Sequence, residues 1–209
     1  MPDYPSRKEE KALLSAGYHR IAGVDEAGRG ALAGPVVAAT VILPEGARFR
    51  WLSQVKDSKL LQGNVREDLY HKMHRSGAEI GIAVIQASII DEINILNATK
   101  KAMHMALERL PEPPDYILTD YVNLPGLCIP QKNIVKGDRL CMTIACASII
   151  AKVVRDRIMI DLHEKYPNYG FDNHKGYGTP EHLERLVLYG ACSIHRFTFG
   201  PVKDLGRLI

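Results

Sequence analysis

Short apolar runs rich in β-branched residues recur along the first two thirds of this chain. The run VVAATVILP, residues 36–44, is typical, because Val, Ile and Thr are stiff about χ1 and pack well on a pleated surface. Runs of this kind predict strands at 20–26, 34–43, 79–87, 115–120 and 127–135. Short turns or a single helix separate the first three strands, so we expect these three to be antiparallel neighbours.

Longer stretches with helical periodicity alternate with these strands and dominate the second half of the chain. They predict helices at 64–76, 95–110, 142–165 and 180–189. The last is well delimited, with Thr179 as N-cap, Pro180 in the first turn and Gly190 just past the end. Strands followed mostly by helices predict an α/β fold with a mixed sheet, and no repeat or linker divides residues 1–209, so we expect one domain.

The overall composition is that of an ordinary globular chain. With 209 residues and 46% hydrophobic content, the chain can build one substantial core, and its net charge of +3 is compatible with a polyanionic partner without requiring one. The apolar runs are too short to span a bilayer, and the N-terminal segment carries charges where a secretory signal needs an apolar core. We therefore expect a cytoplasmic monomer that does not associate with membranes.

The four cysteines give no clear metal or disulfide pattern. None is in C-x-x-C spacing, and they lie at Cys128, Cys141, Cys146 and Cys192. A zinc site or a disulfide framework stays open as an alternative, but reduced, buried thiols are the interpretation that this spacing favours.

The stretch GVDEAGRGALAGPVV, residues 23–37, sets two acids against a glycine-rich turn. Gly28, Gly30 and Ala33 match the dinucleotide-binding pattern G-x-G-x-x-G/A. That pattern requires a helix after the glycines, whose N-terminus binds the pyrophosphate, whereas here a predicted strand comes next. The turn is therefore expected to join strand to strand, and a nicotinamide cofactor is disfavoured.

Three aspartates lie at the ends of predicted elements. Asp25 is in the tail of the first strand, Asp120 ends DYILTD, and Asp138 precedes the long helix. Each alone is explained as a turn or capping residue, and Asp138 could cap the helix after it. Together, two acids at strand ends and a third at a helix entrance predict a cluster of carboxylates whose repulsion a hard cation would relieve. Ligation by oxygen alone indicates Mg²⁺ or Mn²⁺.

A series of motifs in a fixed order resembles ribonuclease HII over about residues 20–202. The motifs are DEAGRG (25–30), GPVVAA (34–39), DSKLL (57–61), NATKKAM (97–103), KGD (136–138), IACASIIAKVVRDR (144–157), HKGYGT (174–179) and IHRFTFGPV (194–202). This resemblance implies a ribonuclease H fold, with a five-stranded mixed sheet flanked by helices and additional C-terminal helices that close over the substrate.

The resemblance also assigns site residues. The family's four metal-binding, catalytic acids correspond to Asp25, Glu26, Asp120 and Asp138. The substrate-binding positions correspond to Gly28, Arg29, Gly30, Lys59, Lys175 and Tyr177. Of these, the glycine turn is expected to read the ribose 2′-OH through its backbone, with Arg29 near the backbone phosphates. The two lysines are expected to contact phosphates, and the tyrosine to pack under the sugar at the RNA–DNA junction. Only glycine lets a backbone approach a sugar closely, and the 2′-OH distinguishes RNA from DNA.

Two positions complicate this assignment. Many relatives have glycine after the third acid, whereas Tyr121 comes after Asp120 here, which puts the local turn in doubt. Asp156, on the long helix, could be mistaken for the fourth ligand, but it lies between Arg155 and Arg157, and an ion-paired structural role fits it better.

The implied activity is that of a metal-dependent endonuclease. It would hydrolyse the RNA strand of RNA–DNA hybrids and cut 5′ to ribonucleotides embedded in duplex DNA, leaving 3′-hydroxyl and 5′-phosphate ends. Two divalent ions bridged by Asp25 would activate water and stabilise the leaving oxygen. Two alternatives stay open: a nucleic-acid-binding module, which would not need the acids, and another nuclease or integrase of the same fold, which would not require a 2′-OH.

Overall fold

A five-stranded sheet organises the part of the chain that the structure, a computed structural model, describes, namely residues 4–205. The strands are β1 (Ile21–Ala27), β2 (Val36–Ile42), β3 (Glu79–Ile85), β4 (Tyr116–Asp120) and β5 (Gln131–Ile134). Their order across the sheet is β3-β2-β1-β4-β5. The first three strands pair antiparallel, as predicted, and β4 and β5 run parallel to β1, so the sheet is mixed.

Helices surround the sheet and fill the C-terminal part of the chain. They are α1 (Lys8–Ser15), α2 (Gly63–Arg75), α3 (Ala87–Ile93), α4 (Ile95–Glu108), α5 (Gly137–Leu140), α6 (Met142–Lys165), α7 (Phe171–His174), α8 (Pro180–Tyr189) and α9 (Gly200–Leu205). The four predicted helices are α2, α4, α6 and α8, and their ends agree to within two residues. Within residues 4–205, no helix is long and apolar enough to cross a membrane.

The two faces of the sheet pack against different helices. In β2, Val36 and Ala38 point to the core shared with α4, whereas Val37, Ala39 and their partners point to α6 and α2. Every residue of β2 is buried, which is why its sequence is continuously apolar instead of alternating. Because β2 comes directly after the glycine turn, the chain has no helix where a dinucleotide fingerprint would need one.

A glycine in β1 lets α6 approach the sheet closely. A Cβ atom on Gly23 would lie 2.2 Å from the backbone carbonyl carbon of Thr143, so any side chain there would displace the helix. At the start of α6, the buried Glu10 accepts hydrogen bonds from the Thr143 amide (2.8 Å) and hydroxyl (3.1 Å). A carboxylate at a helix N-terminus is stabilising. The capping role considered for Asp138 is thus wrong for α6, because Glu10 from α1 fulfils it.

A third apolar cluster joins the C-terminal helices to the glycine-rich region. Leu32 packs there with Met159 of α6, Phe171 of α7, Leu186 of α8 and Val202 of α9. The segments C-terminal to α6 therefore fold back onto the loop that connects β1 to β2.

The turn after Asp120 adopts the backbone conformation that glycine favours. Tyr121 has φ 62°, and its side chain is 66% exposed. We expect Tyr121→Gly to raise the free energy of unfolding by about 0.5–1 kcal/mol. A left-handed non-glycine residue costs about 1–2 kcal/mol, which exceeds the entropy that glycine adds to the unfolded chain. Urea denaturation measures the change, and a decrease would mean that the exposed ring makes stabilising contacts.

Candidate active site

Two strand ends bring acids to the same edge of the sheet. Asp25 lies near the end of β1, and Asp120 is the last residue of the parallel strand β4. Val24 pairs with Thr119, so the residues that follow them, Asp25 and Asp120, lie side by side on neighbouring parallel strands. Asp25 is 5% exposed, and the adjacent Glu26 is also largely inaccessible. The predicted proximity of strand-end acids is therefore present in the fold.

Asp138 approaches this edge from the loop after β5. It lies in the short helix α5 and is 6% exposed. The amide of Gly137 donates a 2.9 Å hydrogen bond to Oδ1 of Asp120, which ties the start of α5 to the end of β4. Lys136, with φ 60°, makes the sharp turn that allows this contact. The loop is therefore shaped by Asp120 and carries Asp138 beside it.

A cleft of about 410 Å³ opens above these acids. It is lined by eight of the predicted site residues, namely Asp25, Glu26, Gly28, Arg29, Gly30, Lys59, Asp120 and Tyr177. Asp138 adjoins it, with Oδ2 4.0 Å from the Lys59 ammonium. Lys175 is not among the lining residues, and its ammonium donates to the backbone carbonyl of Asp172. The structure thus brings nine of the ten predicted residues together and leaves Lys175 outside.

The acids of the cleft hold their protons more tightly than usual. Burial raises the pKa of Asp25 well above its ordinary range, the charge of Glu26 raises it further, and a hydrogen bond from Ser148 opposes the rise. Burial is also the main cause that raises the pKa of Glu26, Asp120 and Asp138. The charge of Asp120 adds to the rise for both Glu26 and Asp138. Mutual repulsion of this kind is relieved by a bound cation.

The donor set fits a hard divalent ion that is only partly coordinated by protein. Oε2 of Glu26 is buried and has no hydrogen-bond partner among residues 4–205. Within the same residues, no three Asp, Glu, His or Cys side chains lie close enough to enclose an ion by themselves. Mg²⁺ is commonly bound by one or two carboxylates, with water and substrate phosphate completing the octahedron. The open arrangement of Asp25, Glu26, Asp120 and Asp138 matches that mode.

Three further residues of the cleft were missed by the sequence reasoning. Ser58, Ser148 and Lys152 line it, and the hydroxyls of the two serines are 2.9 Å apart. Ser148 and Lys152 are four residues apart on α6, so they share one helix face with each other and with the buried Arg155. Polar residues at this spacing on an otherwise apolar helix are the sequence signal that would have identified Ser148 and Lys152 as site residues.

The glycine turn is packed against Arg155. Gly28 has φ 93°, and a Cβ atom there would lie 1.9 Å from Nε of Arg155. The guanidinium donates to the carbonyls of Ala33 (3.2 Å) and Pro35 (2.9 Å). Position 28 therefore admits only glycine, for reasons of both backbone conformation and space.

Tyr177 faces the same basic side chains. Its ring centroid lies 5.2 Å from the guanidinium carbon of Arg155 and 5.8 Å from the ammonium of Lys152. The ring is neither buried in the core nor fully exposed, and one side of it lines the cleft. Asp156, which the sequence analysis separated from the metal ligands, pairs with Lys152 at 2.7 Å and Arg66 at 3.5 Å. The ion pairing expected for Asp156 is thus confirmed.

The two predicted phosphate contacts can be tested through salt dependence. We expect Lys59→Ala and Lys175→Ala to weaken binding to all duplexes alike, and each to reduce the slope of log affinity against log salt by about 0.9. Fluorescence anisotropy at several salt concentrations measures the slope, with Lys165→Ala, on an exposed residue at the end of α6, as the control. An unchanged slope in either variant would assign that lysine to the solvated surface.

Comparison with known proteins leads to the same family. Residues 22–202 match the sequence model of the ribonuclease HII family. The ribonuclease HII of Dehalococcoides mccartyi strain 195 is 48% identical over 205 residues, which cover 98% of this chain and 97% of that relative. The crystal structure of ribonuclease H2 from Pyrococcus horikoshii OT3 has a TM-score of 0.76 and 28% identity, covering 90% of this chain and 97% of that one.

A more distant structure shares the fold alone. Bst-RNase HIII in complex with Mn²⁺ has a TM-score of 0.65 and 15% identity, covering 94% of this chain and 73% of that one. Taken with the mixed sheet and its flanking helices, these likenesses confirm the predicted ribonuclease H fold.

Proposed function

This chain belongs to the ribonuclease HII family, hydrolases that cleave the RNA of RNA–DNA hybrids, and from that premise we propose a finer activity. It cuts on the 5′ side of single ribonucleotides embedded in duplex DNA as well as within hybrids, and it leaves 3′-hydroxyl and 5′-phosphate ends. In the cell this activity would serve the removal of ribonucleotides and RNA primers from DNA.

One observation carries the proposal: a cleft lined by acids adjoins a glycine turn that a sugar can approach. Asp25, Glu26 and Asp120 line one part of the cleft, and Gly28 and Gly30 line the adjacent part. A site that recognises a single 2′-OH needs a backbone that can approach the sugar closely. A site that hydrolyses a phosphodiester needs groups that offset the negative charge on the adjacent phosphate. The two requirements are met within one cleft of about 410 Å³.

The residues of the chain mainly position the substrate and balance charge. Asp25, Glu26, Asp120 and Asp138 would hold Mg²⁺ or Mn²⁺, and a protein of the same fold is described in complex with Mn²⁺. A divalent ion, when bound, supplies Lewis-acid chemistry that makes water a better nucleophile and offsets negative charge on the phosphate. Lys59, whose side chain is 79% exposed, is free to contact the substrate backbone.

The acids distinguish this proposal from a binding module without catalysis. A surface that only binds nucleic acid gains nothing from buried carboxylates that repel phosphate. Here Asp25, which is 5% exposed, and Asp138, which is 6% exposed, lie at the floor and margin of the cleft. Burying these carboxylates costs free energy, which bound cations would offset; a surface that only binds nucleic acid would gain nothing from them.

The proposal is tested with an RNA–DNA hybrid labelled on the RNA strand. We expect cleavage in Mg²⁺ or Mn²⁺, no cleavage in EDTA, and products that a polymerase extends directly from their 3′-hydroxyl groups. A 2′,3′-cyclic phosphate product would contradict it, because the 2′-OH would then be the nucleophile. Cleavage that persists in EDTA would also contradict it, because no divalent ion would then be needed.

A further inference from the structure

Arg196 is a fully buried cation whose hydrogen bonds all go to backbone carbonyls beside the cleft. Its guanidinium donates to the carbonyls of Gly28 (2.7 Å), Arg29 (3.0 Å) and Gly34 (3.0 and 3.1 Å). Its relative exposure is 0%, and within residues 4–205 it makes no ion pair with a carboxylate. A buried charge of this kind is costly unless its hydrogen bonds are satisfied.

The backbone around Arg196 is also fixed to the loop after the glycine turn. The amide of Arg196 donates to the carbonyl of Leu32 at 2.8 Å, and the amide of Gly34 donates to the carbonyl of Ile194 at 2.9 Å. Ala33 and His195 form an antiparallel bridge between these contacts. The guanidinium is therefore attached to a backbone that cannot shift independently of the turn.

His195, which precedes Arg196, is linked through His182 to the loop that carries Tyr177. Nε2 of His195 lies 3.0 Å from Nε2 of His182, and Nδ1 of His182 lies 3.0 Å from the carbonyl oxygen of Tyr177. Because a carbonyl only accepts, His182 donates from Nδ1, and the proton between the two rings then belongs to His195. When both rings are neutral, Nδ1 of His195 accepts from the Cys192 amide at 3.0 Å and does not donate to the Cys192 carbonyl at 3.2 Å. Burial lowers the pKa of each histidine to about 4, which favours that state.

The peptide geometry of the turn shows what the Arg196 contacts accomplish. In a trans peptide, the N–H points opposite to the carbonyl of the preceding residue. The carbonyls of Gly28 and Arg29 are directed at Arg196, so the amides of Arg29 and Gly30 are directed away from it. Neither amide has a hydrogen-bond partner among residues 4–205, and both residues line the cleft. Two unpaired donors are thus held in fixed directions beside the acids.

We propose that Arg196 is a positioning residue that fixes the amides of Arg29 and Gly30 towards the sugar and thereby sets the preference for ribose over deoxyribose. The inference rests on the proposed function, and it assigns to a buried residue outside the cleft a role in substrate selection. An apolar side chain of similar volume would fill the same space but would leave the carbonyls of Arg29 and Gly34 without this donor. The Gly28 carbonyl would keep only the 3.3 Å hydrogen bond from the Ala31 amide, so the turn would be held less firmly.

The test compares binding of two duplexes by the same protein preparation. One duplex carries a single ribonucleotide and the other is the matched all-DNA duplex, and EDTA prevents cleavage of either. We expect the ratio of their dissociation constants to fall about two- to tenfold in Arg196→Met, the amount that one net hydrogen bond contributes. Arg196→Lys is expected to fall in between, because a single ammonium can replace only part of the fork.

A matched control separates positioning from loss of stability. Leu186 is fully buried in the apolar cluster that joins Leu32 to the C-terminal helices, and its side chain cannot form a hydrogen bond. Leu186→Ala is therefore expected to lower the melting temperature but keep the wild-type ratio. An inactive fraction changes both dissociation constants equally and cancels in the ratio. If Arg196→Met does not fold, Arg196→Lys carries the test.

The outcomes distinguish this inference from the proposed function. A wild-type preference for the ribonucleotide that persists unchanged in the folded Arg196 variants would overturn the role of Arg196 alone. A wild-type ratio of one would overturn the proposed reading of the sugar, and the present inference with it. A reduced ratio in Arg196→Met, partly recovered in Arg196→Lys and intact in Leu186→Ala, supports the inference.

Discussion

Asp25→Asn is expected to abolish cleavage, with a loss in kcat of at least about three orders of magnitude. Asparagine keeps the shape of the side chain but removes the charge with which the protein would hold a cation against phosphate, an effect of several kcal/mol on the barrier. Asp156→Asn is the matched control, because Asp156 is an aspartate of α6 whose partners are Lys152 and Arg66. Single-turnover cleavage of a hybrid measures both variants. Activity of Asp25→Asn within tenfold of wild type would remove Asp25 from the metal site.

The same substitution should stabilise the metal-free protein near neutral pH. The folded pKa of Asp25 is raised well above its unfolded value, mainly by burial, so the native state binds more protons than the unfolded chain between those two values. The free energy of unfolding therefore falls as pH rises through that window. Asparagine has no carboxyl proton to lose, so the decrease in the free energy of unfolding with rising pH should be smaller in Asp25→Asn. Thermal melts in EDTA from about pH 4 to pH 8 measure it. Parallel curves for the two proteins would mean that Asp25 does not titrate abnormally.

Tyr177→Ala is expected to slow cleavage at a single embedded ribonucleotide about tenfold or more. Stacking on an aromatic ring contributes roughly 1–3 kcal/mol, and the ring of Tyr177 lines the cleft. Tyr177→Phe should be less affected, because it keeps the ring. The expected change in melting temperature is small, since Tyr177 is only partly buried and belongs to none of the apolar core clusters of the described residues. Measuring kcat/KM and melting temperature together for both variants separates the two effects.

The opposite pattern would assign Tyr177 to the structure of its loop. If Tyr177→Ala melts far below wild type but cleaves normally when folded, the ring stabilises the C-terminal segments and does not contact the sugar. His182 provides the comparison, because it holds the same loop through the Tyr177 carbonyl without lining the cleft. A His182→Asn variant that melts lower but cleaves normally when folded would separate the stability of this loop from the role proposed for the ring.

Local sequence patterns were sufficient for the long helix and for the two strands that carry Asp25, Glu26 and Asp120. The predicted helix 142–165 has the observed bounds, because its apolar content and Pro167 define both ends. Asp25 and Asp120 could be placed together because neighbouring strands end at the same edge of the sheet. By contrast, α1, α3 and the short helices α5, α7 and α9 were not predicted. Only Glu10 is buried in α1, and α3 has only seven residues, so neither has a strong apolar period.

Contacts between distant residues account for the features that the sequence could not predict. Glu10 caps a helix 133 residues away, and Arg196 binds the carbonyl of Gly28 across 168 residues. Backbone carbonyls have no residue type, so no pattern in the sequence points to such partners. Lys175 is assigned by its motif alone; its backbone is left-handed and its ammonium donates to the Asp172 carbonyl, so its contact with substrate stays a prediction.

Cleavage of a DNA duplex that carries one ribonucleotide tests the central claim most directly. The strand is labelled at its 5′ end, the cut is mapped to single-nucleotide resolution, and the matched all-DNA duplex is the control. We predict one cut on the 5′ side of the ribonucleotide, dependent on Mg²⁺ or Mn²⁺, and no cut in the control. Equal cleavage of the two duplexes, or cleavage of hybrids with none at the single ribonucleotide, would contradict the account.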